Sequence, residues 1–165
     1  MRRARMTELV VVAAGWLAVV GCRGGGQDGA AEDSTAESRT AIQATLEEYL
    51  PAFAEAYGSG NLEPLRQWTV ERELSGLQRR VTRLLEEGLA LEPELVEVTV
   101  ESVEVWSHSN AYATTLEVWN LRYYSTGAHV LFDEQLGTRQ RVKYQLKLED
   151  GRWRILYREV SEMLE

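Results

Sequence analysis

The feature that most constrains the fold is a pair of alternating segments between residues 142 and 160. In the first segment every second residue is apolar: Val142, Tyr144, Leu146 and Leu148. The alternation resumes after Asp150-Gly151, where the apolar residues are Trp153, Ile155 and Tyr157. A period of two indicates β-strands with one apolar face, and Asp-Gly favours a tight hairpin turn because glycine tolerates a positive φ. Because an isolated hairpin is marginally stable, the apolar face must be covered by the rest of the chain.

Two further strands precede this hairpin. The segment Leu95–Ser107 alternates but slips by one position near Glu101-Ser102, which predicts a β-bulge there. The segment Ala111–Tyr124 reads as a long strand, and Ser125–Gly137 reads as a loop. The sequence therefore predicts four antiparallel strands in its second half.

Three helices are predicted before the strands. Residues 39–57 carry apolar residues at three- and four-residue spacing, and the pattern continues past Pro51, which should kink the helix. A short helix is predicted after Asn61, as its N-cap, and a third over residues 70–87, with Gly88 just past its end. Helices followed by antiparallel strands indicate an α+β domain with the helices on one face of the sheet.

The N-terminal residues have the composition of a secretion signal. Arg2, Arg3 and Arg5 precede an apolar run, Leu9–Val20, that is too short to span a bilayer. The run ends in Val-Val-Gly-Cys, which resembles a bacterial lipobox. This resemblance implies that residues 1–21 are a lipoprotein signal peptide and that Cys22 carries the lipid. Residues 22–38 are predicted to be a flexible tether, and residues 39–165 the folded domain.

Charge and cysteine content limit the functional classes. The formal net charge is −8, which argues against a nucleic-acid-binding protein. The single cysteine excludes an intrachain disulfide and a thiolate metal cluster. Arg23 after the cysteine differs from the aspartate typical of inner-membrane retention. In a host with two membranes this favours an anchor in the outer membrane, facing the periplasm.

The order of these elements resembles the nuclear transport factor 2-like superfamily, also called SnoaL-like or ketosteroid isomerase-like. The motifs that carry the resemblance are YLPAFAEAYGSGNLEPLRQW and the closing YQLKLEDGRWRI. The resemblance implies a cone-shaped, strongly curved sheet wrapped on the helices, with a pocket at its open end, and a possible homodimer formed through the sheet. The candidate pocket residues are Tyr49, Phe53, Trp68, Trp119 and Tyr123.

Enzymes of that superfamily use a buried carboxylate as a general base, and Glu117 is the weak candidate for that role here. It lies in an apolar strand on the same face as Thr115 and Trp119, with Tyr49 or Tyr123 as possible donors. The functional interpretation gives Glu117 a raised pKa. The alternative, which has more weight, places it on the outer face in a cross-strand pair with Arg or Lys.

Other candidate sites are weaker or non-catalytic. His108 and His129 lie in expected loops without a suitable partner, so no metal, cofactor or nucleophilic site is predicted. The last two strands carry a basic set that could dock an acidic partner, or could pair across the strands with glutamates. The set is Arg139, Arg141, Lys143, Lys147, Arg152, Arg154 and Arg158.

These features favour a membrane-anchored envelope lipoprotein whose domain is more a binding module than an enzyme. The expected partner is an envelope protein or a small apolar ligand. The alternative is an isomerase or dehydratase that uses Glu117.

Overall fold

The computed structural model describes the backbone of residues 28–164 and the side chains of residues 35–164. The elements in chain order are α1 (Asp28–Ser59), a 3-10 helix (Glu63–Gln67), α2 (Glu71–Glu86), β1 (Leu89–Ser107), β2 (Asn110–Ser125), β3 (Leu131–Glu149) and β4 (Arg152–Leu164). The strands form one antiparallel sheet in the order β1-β2-β3-β4. This confirms the predicted α+β class and the four antiparallel strands.

The prediction of three helices is wrong, because the described part contains two α-helices and a single short 3-10 helix. The segment after Asn61 forms only the short 3-10 helix, because the chain directly after it pairs with β4: the Ile155 N–H donates to Trp68 O at 2.7 Å and the Val70 N–H donates to Ile155 O at 3.0 Å. The Asn61 side chain still accepts a hydrogen bond from the backbone N–H of Glu63 at 3.2 Å. Helix α2 matches its predicted span closely, and Gly88 follows it with a φ of 77°.

The signal peptide and Cys22 lie outside the described residues. Helix α1 begins at Asp28, which is earlier than the start predicted at residue 39, and it continues through Pro51. The boundary between tether and domain therefore stays a prediction. Within the described part, no helix combines the length and hydrophobicity that crossing a membrane requires.

The closing hairpin forms as predicted, around Asp150 and Gly151, whose φ angles are 51° and 75°. The predicted bulge is confirmed by a register shift between Val100 and Ser102. The prediction of a loop over Ser125–Gly137 is wrong in its second part, since β3 already begins at Leu131. These residues pair with β2, but they are exposed, so no apolar alternation marked them as a strand.

A bulge in β4, in addition to the one in β1, changes which side chains of the closing hairpin face the helices. Gln145 pairs with Tyr157, but Leu146 pairs with Ile155, so Leu156 is an extra residue in β4. Such a bulge reverses the alternation beyond it. Tyr157, predicted to lie on the apolar face, is therefore 47% exposed, while the Arg158 side chain is only 10% exposed.

The core lies between the two helices and one face of the sheet. Helix α1 contributes mainly aliphatic and aromatic side chains that are almost fully buried. They pack against buried aliphatic and aromatic side chains of the central strands. The fully buried members include Ile42, Leu46, Tyr49, Leu50, Val142, Tyr144, Leu146 and Ile155. The opposite face of the sheet carries charged side chains, such as Arg141, together with exposed aromatic ones, Trp106 and Tyr112. The helices and the sheet therefore form two layers with the core between them.

Candidate functional site

The most unusual feature of the core is Glu117, a carboxylate with no exposed surface. It accepts five hydrogen bonds, from Thr115 Oγ1 (2.8 Å), Trp119 Nε1 (2.8 Å), Gln140 Nε2 (3.0 Å), Tyr144 OH (2.6 Å) and Arg158 Nη2 (3.0 Å). Thr115 and Trp119 are its neighbours on β2, as the alternation predicted. The other donors lie on β3, which carries Gln140 and Tyr144, and on β4, which carries Arg158. The pairing of the strands brings them next to Glu117.

The electrostatic balance keeps this carboxylate charged. Burial raises the pKa of Glu117, but the Arg158 charge and the hydrogen bonds from Tyr144, Trp119 and Thr115 outweigh it, so the pKa lies below its ordinary value of 4.5. Arg158 donates through Nε to Tyr144 OH at 3.1 Å, and its guanidinium lies 5.2 Å from the centre of the Phe53 ring. A carboxylate held in this way is a poor proton acceptor.

Both interpretations of Glu117 therefore need correction. Its pKa is lowered, whereas a general base of the predicted kind requires a raised value. It does pair with an arginine, but on the helix-facing side of the sheet instead of the outer face. Neither expected tyrosine is its donor: the buried Tyr49 hydroxyl has no hydrogen-bond partner within the described residues, and Tyr123 lies opposite Asp133.

A cavity of about 170 Å³ lies next to this cluster, between the helices and the sheet. Its walls are largely apolar, and Arg80, Gln140 and Arg158 contribute the polar groups. The apolar lining residues are Phe53, Tyr57, Leu77, Leu91, Pro93, Trp119 and Leu121. An apolar pocket with a few convergent polar groups is the usual form of a binding site.

The five predicted pocket residues do not line one common pocket. Phe53 and Trp119 line this cavity, and their rings meet edge to face at 6.0 Å. Tyr49 is part of the closed core. Trp68 lines a separate groove beside Trp153, with its Nε1 3.5 Å from a Glu48 oxygen, and Tyr123 is not among the residues that line either cavity.

A second buried carboxylate, Glu73 on α2, lies close to the same cavity. Its partner is Arg80, whose Nη2 donates at 3.0 Å. Burial raises the pKa of Glu73, and the neighbouring arginines Arg80 and Arg158 offset this only in part. Sequence reasoning missed Arg80, Gln140, Tyr144 and Arg158 as residues of this site, because they come from three elements, α2, β3 and β4, that only the tertiary fold brings together.

The predicted basic face is partly neutralised by acidic neighbours. Arg141 pairs with Glu101 at 2.8 Å and also with Glu162, and Lys147 pairs with Glu149 at 3.0 Å. Lys143 lies opposite Glu159 in the register of the hairpin. Arg158 does not belong to this face, because the bulge at Leu156 turns it inward. The docking role of the remaining set, which includes Arg139, Arg152 and Arg154, stays a prediction.

The histidines do not form a metal site within residues 35–164, where no group of three potential ligands converges. His129 stacks on Tyr124 with the ring centres 4.5 Å apart, and its Nε2 lies 3.6 Å from a Glu92 oxygen.

Comparison with known proteins gives the family. The profile of the ARC6-like, IMS domain family matches residues 52–156. The chain belongs to this family. The match includes the C-terminal end of α1, all of α2, strands β1 to β3 and the start of β4, and therefore every residue of the Glu117 cluster and of the cavity except Arg158. Membership of the ARC6-like family agrees with the expectation that the domain is not an enzyme.

One solved structure supports the ARC6-like fold. The crystal structure of the intermembrane space region of chloroplast protein ARC6 superposes with a TM-score of 0.60 at 17% identity, covering 74% of this chain and 94% of that one. A SEC-C motif containing protein from Rhodopseudomonas palustris reaches a TM-score of only 0.38 at 17% identity, with 66% and 72% coverage, which carries no structural argument. No curated protein matches the sequence.

The ARC6-like assignment overturns the resemblance to the nuclear transport factor 2-like superfamily. The cone-shaped sheet was implied by that resemblance and is withdrawn with it. The order of helices before an antiparallel sheet and the Asp-Gly hairpin turn are too general to separate the two families. The motifs that carried the resemblance fall mostly within the matched range, so they are features of an ARC6-like domain here.

Proposed function

We propose that this protein is an envelope lipoprotein whose ARC6-like domain is a non-catalytic module that binds a partner protein. The single observation that carries the proposal is the apolar cavity beside the Glu117–Arg158 pair. The similar solved structure is a region of a chloroplast protein in the intermembrane space, a compartment of an envelope. By analogy, we place the present domain in an extracytoplasmic compartment of a bacterial envelope.

The size of the cavity favours a protein partner over a free ligand. At about 170 Å³ it is smaller than the roughly 300–1,000 Å³ of typical small-molecule sites. This volume suits one or two apolar side chains inserted from a partner. Phe53 and Trp119 would contact such side chains, and Arg80 or Gln140 could bind polar groups of the adjoining partner backbone.

A catalytic role has less support. The strongest candidate base, Glu117, is already saturated with donors and ion-paired with Arg158, so its lone pairs are not free to accept a substrate proton.

The pocket can be tested by photo-crosslinking in living cells. We expect a photoreactive residue at Leu121, which lines the cavity, to form a specific adduct with an envelope protein. The same residue at Leu116, on β2 opposite Arg141 on the outer face, is the matched control. Leu91→Trp, which fills the cavity from β1, should reduce the Leu121 adduct at least about fivefold. Equal adducts from both positions, unaffected by Leu91→Trp, would contradict binding in the pocket.

The anchor has its own test. Cys22 is the only cysteine, so Cys22→Ala removes every site for thioether-linked lipid. We expect the wild-type chain to incorporate radioactive palmitate and to fractionate with membranes, and the variant to take up no label. A labelled Cys22→Ala chain would refute the lipoprotein proposal without bearing on the pocket.

A further inference from the structure

The structure has an exposed strand edge that lies apart from the cavity. Strand β3 extends from Leu131, but β4 pairs with it only from Arg139 onward, where the partner is Leu164. Residues 131–138 therefore pair with β2 on one side, with bulges at Phe132 and at Leu136-Gly137, and no strand within residues 28–164 pairs with them on the other. Their outward backbone N–H and C=O groups are available to another chain.

This edge also carries exposed apolar side chains. Phe132 is 71% exposed, Leu136 60% and Leu131 48%. Natural proteins usually protect long exposed edges with short strands, proline, charged residues or β-bulges. This stretch has two bulges and two acidic residues but no proline or lysine, and large apolar groups lie beside the unpaired backbone. Exposed apolar surface next to free backbone groups is typical of a site where a strand is added.

The charges of the edge indicate the chemistry of the added strand. Asp133 and Glu134 lie in the middle of the exposed stretch. Glu134 is paired with Arg122 at 2.8 Å, but the hydrogen bond that Asp133 accepts comes from Gln135, a neutral side chain, at 3.2 Å. Between residues 120 and 138 the sequence contains a single arginine and no lysine. The edge is therefore acidic and suits a basic strand.

The same charges disfavour a second copy of this chain. If residues 131–138 paired antiparallel with themselves, the central registers would place Asp133 and Glu134 of one chain against or beside those of the other. Like charges directly opposite in a sheet are destabilising.

We infer that residues 131–138 of β3 are a β-augmentation site for an extended segment of another protein in which apolar and basic residues alternate. The added strand would continue the sheet in line with β4, beyond the pairing of Arg139 with Leu164. Backbone hydrogen bonds to β3 would supply affinity, contacts with Phe132 and Leu136 would bury apolar surface, and the charge of Asp133 would select basic side chains.

The probe for this site is an eight-residue peptide in which lysine alternates with valine. We expect it to bind the full chain and to slow amide hydrogen exchange within residues 131–138. The same peptide with glutamate in place of lysine should bind at least about tenfold more weakly. A lysine–valine peptide that is N-methylated at every residue should not bind, because neither of its edges can donate a backbone hydrogen bond.

Charge-reversal variants separate a local effect from the overall acidity of the protein. Asp133→Lys should weaken binding of the lysine–valine peptide about three- to tenfold, since one cross-strand attraction becomes a repulsion. Glu104→Lys, on the exposed outer side of β1, makes the same change of charge elsewhere and should alter binding less than about twofold.

Two results would overturn the inference. One is equal binding of the lysine and glutamate peptides, or equal effects of Asp133→Lys and Glu104→Lys. The other is a full chain that sediments as a dimer held through this edge, with residues 131–138 protected from exchange before any peptide is added.

Discussion

Replacement of Arg158 by methionine is expected to lower the free energy of unfolding by about 3–5 kcal/mol. The substitution leaves Glu117, which has no exposed surface, without its cationic partner in the core. Methionine fills a similar volume, so the loss reports the unpaired charge more than a cavity. Urea unfolding of the full chain, followed by tryptophan fluorescence, measures the change.

The matched control is Arg141→Met. Arg141 also forms two ion pairs, with Glu101 and Glu162, but they lie on the outer face, where about a third or more of each side chain is exposed. We expect this variant to lose less than about 1 kcal/mol. In the double variant Glu117→Gln/Arg158→Met, the decrease in the free energy of unfolding should be smaller than the sum of the decreases in the two single variants. The reason is that the two side chains interact directly. Additive costs would mean that the pair is not coupled.

The Arg158 prediction has a defined pH dependence. The pKa of Glu117 is lower in the folded protein than its ordinary value of 4.5, so its pairing stabilises the fold fully at pH values above 4.5. That stabilisation is lost as the pH falls through the lowered pKa, where the carboxylate becomes protonated. The stability difference between wild type and Arg158→Met should therefore be largest at neutral pH and shrink in acid. Glu117 becomes protonated first in the variant, where burial without the arginine raises its pKa, and then in the wild type. A difference that grew in acid would contradict the assignment.

Replacement of Trp119 by alanine is expected to lower the free energy of unfolding by about 3–5 kcal/mol. The indole is 2% exposed, packs against Phe53 and donates to Glu117 at 2.8 Å. Alanine removes the packing and also leaves one carboxylate oxygen with fewer donors. Because Trp119 lines the cavity, the variant should in addition enlarge the pocket and weaken the crosslink at Leu121.

Two further substitutions separate packing from hydrogen bonding at this position. Trp119→Phe keeps an aromatic ring but loses the indole N–H, so its cost should be about 1–3 kcal/mol, the price of one lost hydrogen bond to a buried charge. Trp106→Ala tests a tryptophan on the outer face, which is 56% exposed and stacks with Tyr112. Its cost should stay near 0.5–1.5 kcal/mol, roughly the value of an aromatic pair. If Trp106→Ala were as damaging as Trp119→Ala, the placement of the core would be wrong.

The family match and the five hydrogen bonds to Glu117 also change the interpretation of this residue. The sequence made it the best candidate acid because it lies in an apolar strand. The structure shows that its function in the fold is to link β2, β3 and β4 through buried hydrogen bonds to Gln140, Tyr144 and Arg158. A buried, fully bonded network of this kind rigidifies a core, and here it forms one wall of the cavity.

The sequence alone determined the features that depend on short-range order. The alternation in β2 and β3, the Asp150-Gly151 turn, the bulge near Glu101 and the span of α2 all follow from spacing within single segments. The placement of Glu117, Thr115 and Trp119 on one face of β2 follows from the same period of two. These patterns are local, so no partner strand is needed to recognise them.

Only the tertiary structure decided which residues meet. The run Ile155-Leu156-Tyr157 breaks the alternation and was a signal of a bulge, but a bulge is defined by the opposing strand, and its effect on Arg158 depends on the register with β3. The same holds for residues 131–138, whose strand pairing comes from β2 and not from their own pattern. Period and turn chemistry are properties of one segment, whereas register, and with it the Glu117–Arg158 pair and the open edge of β3, is a property of two.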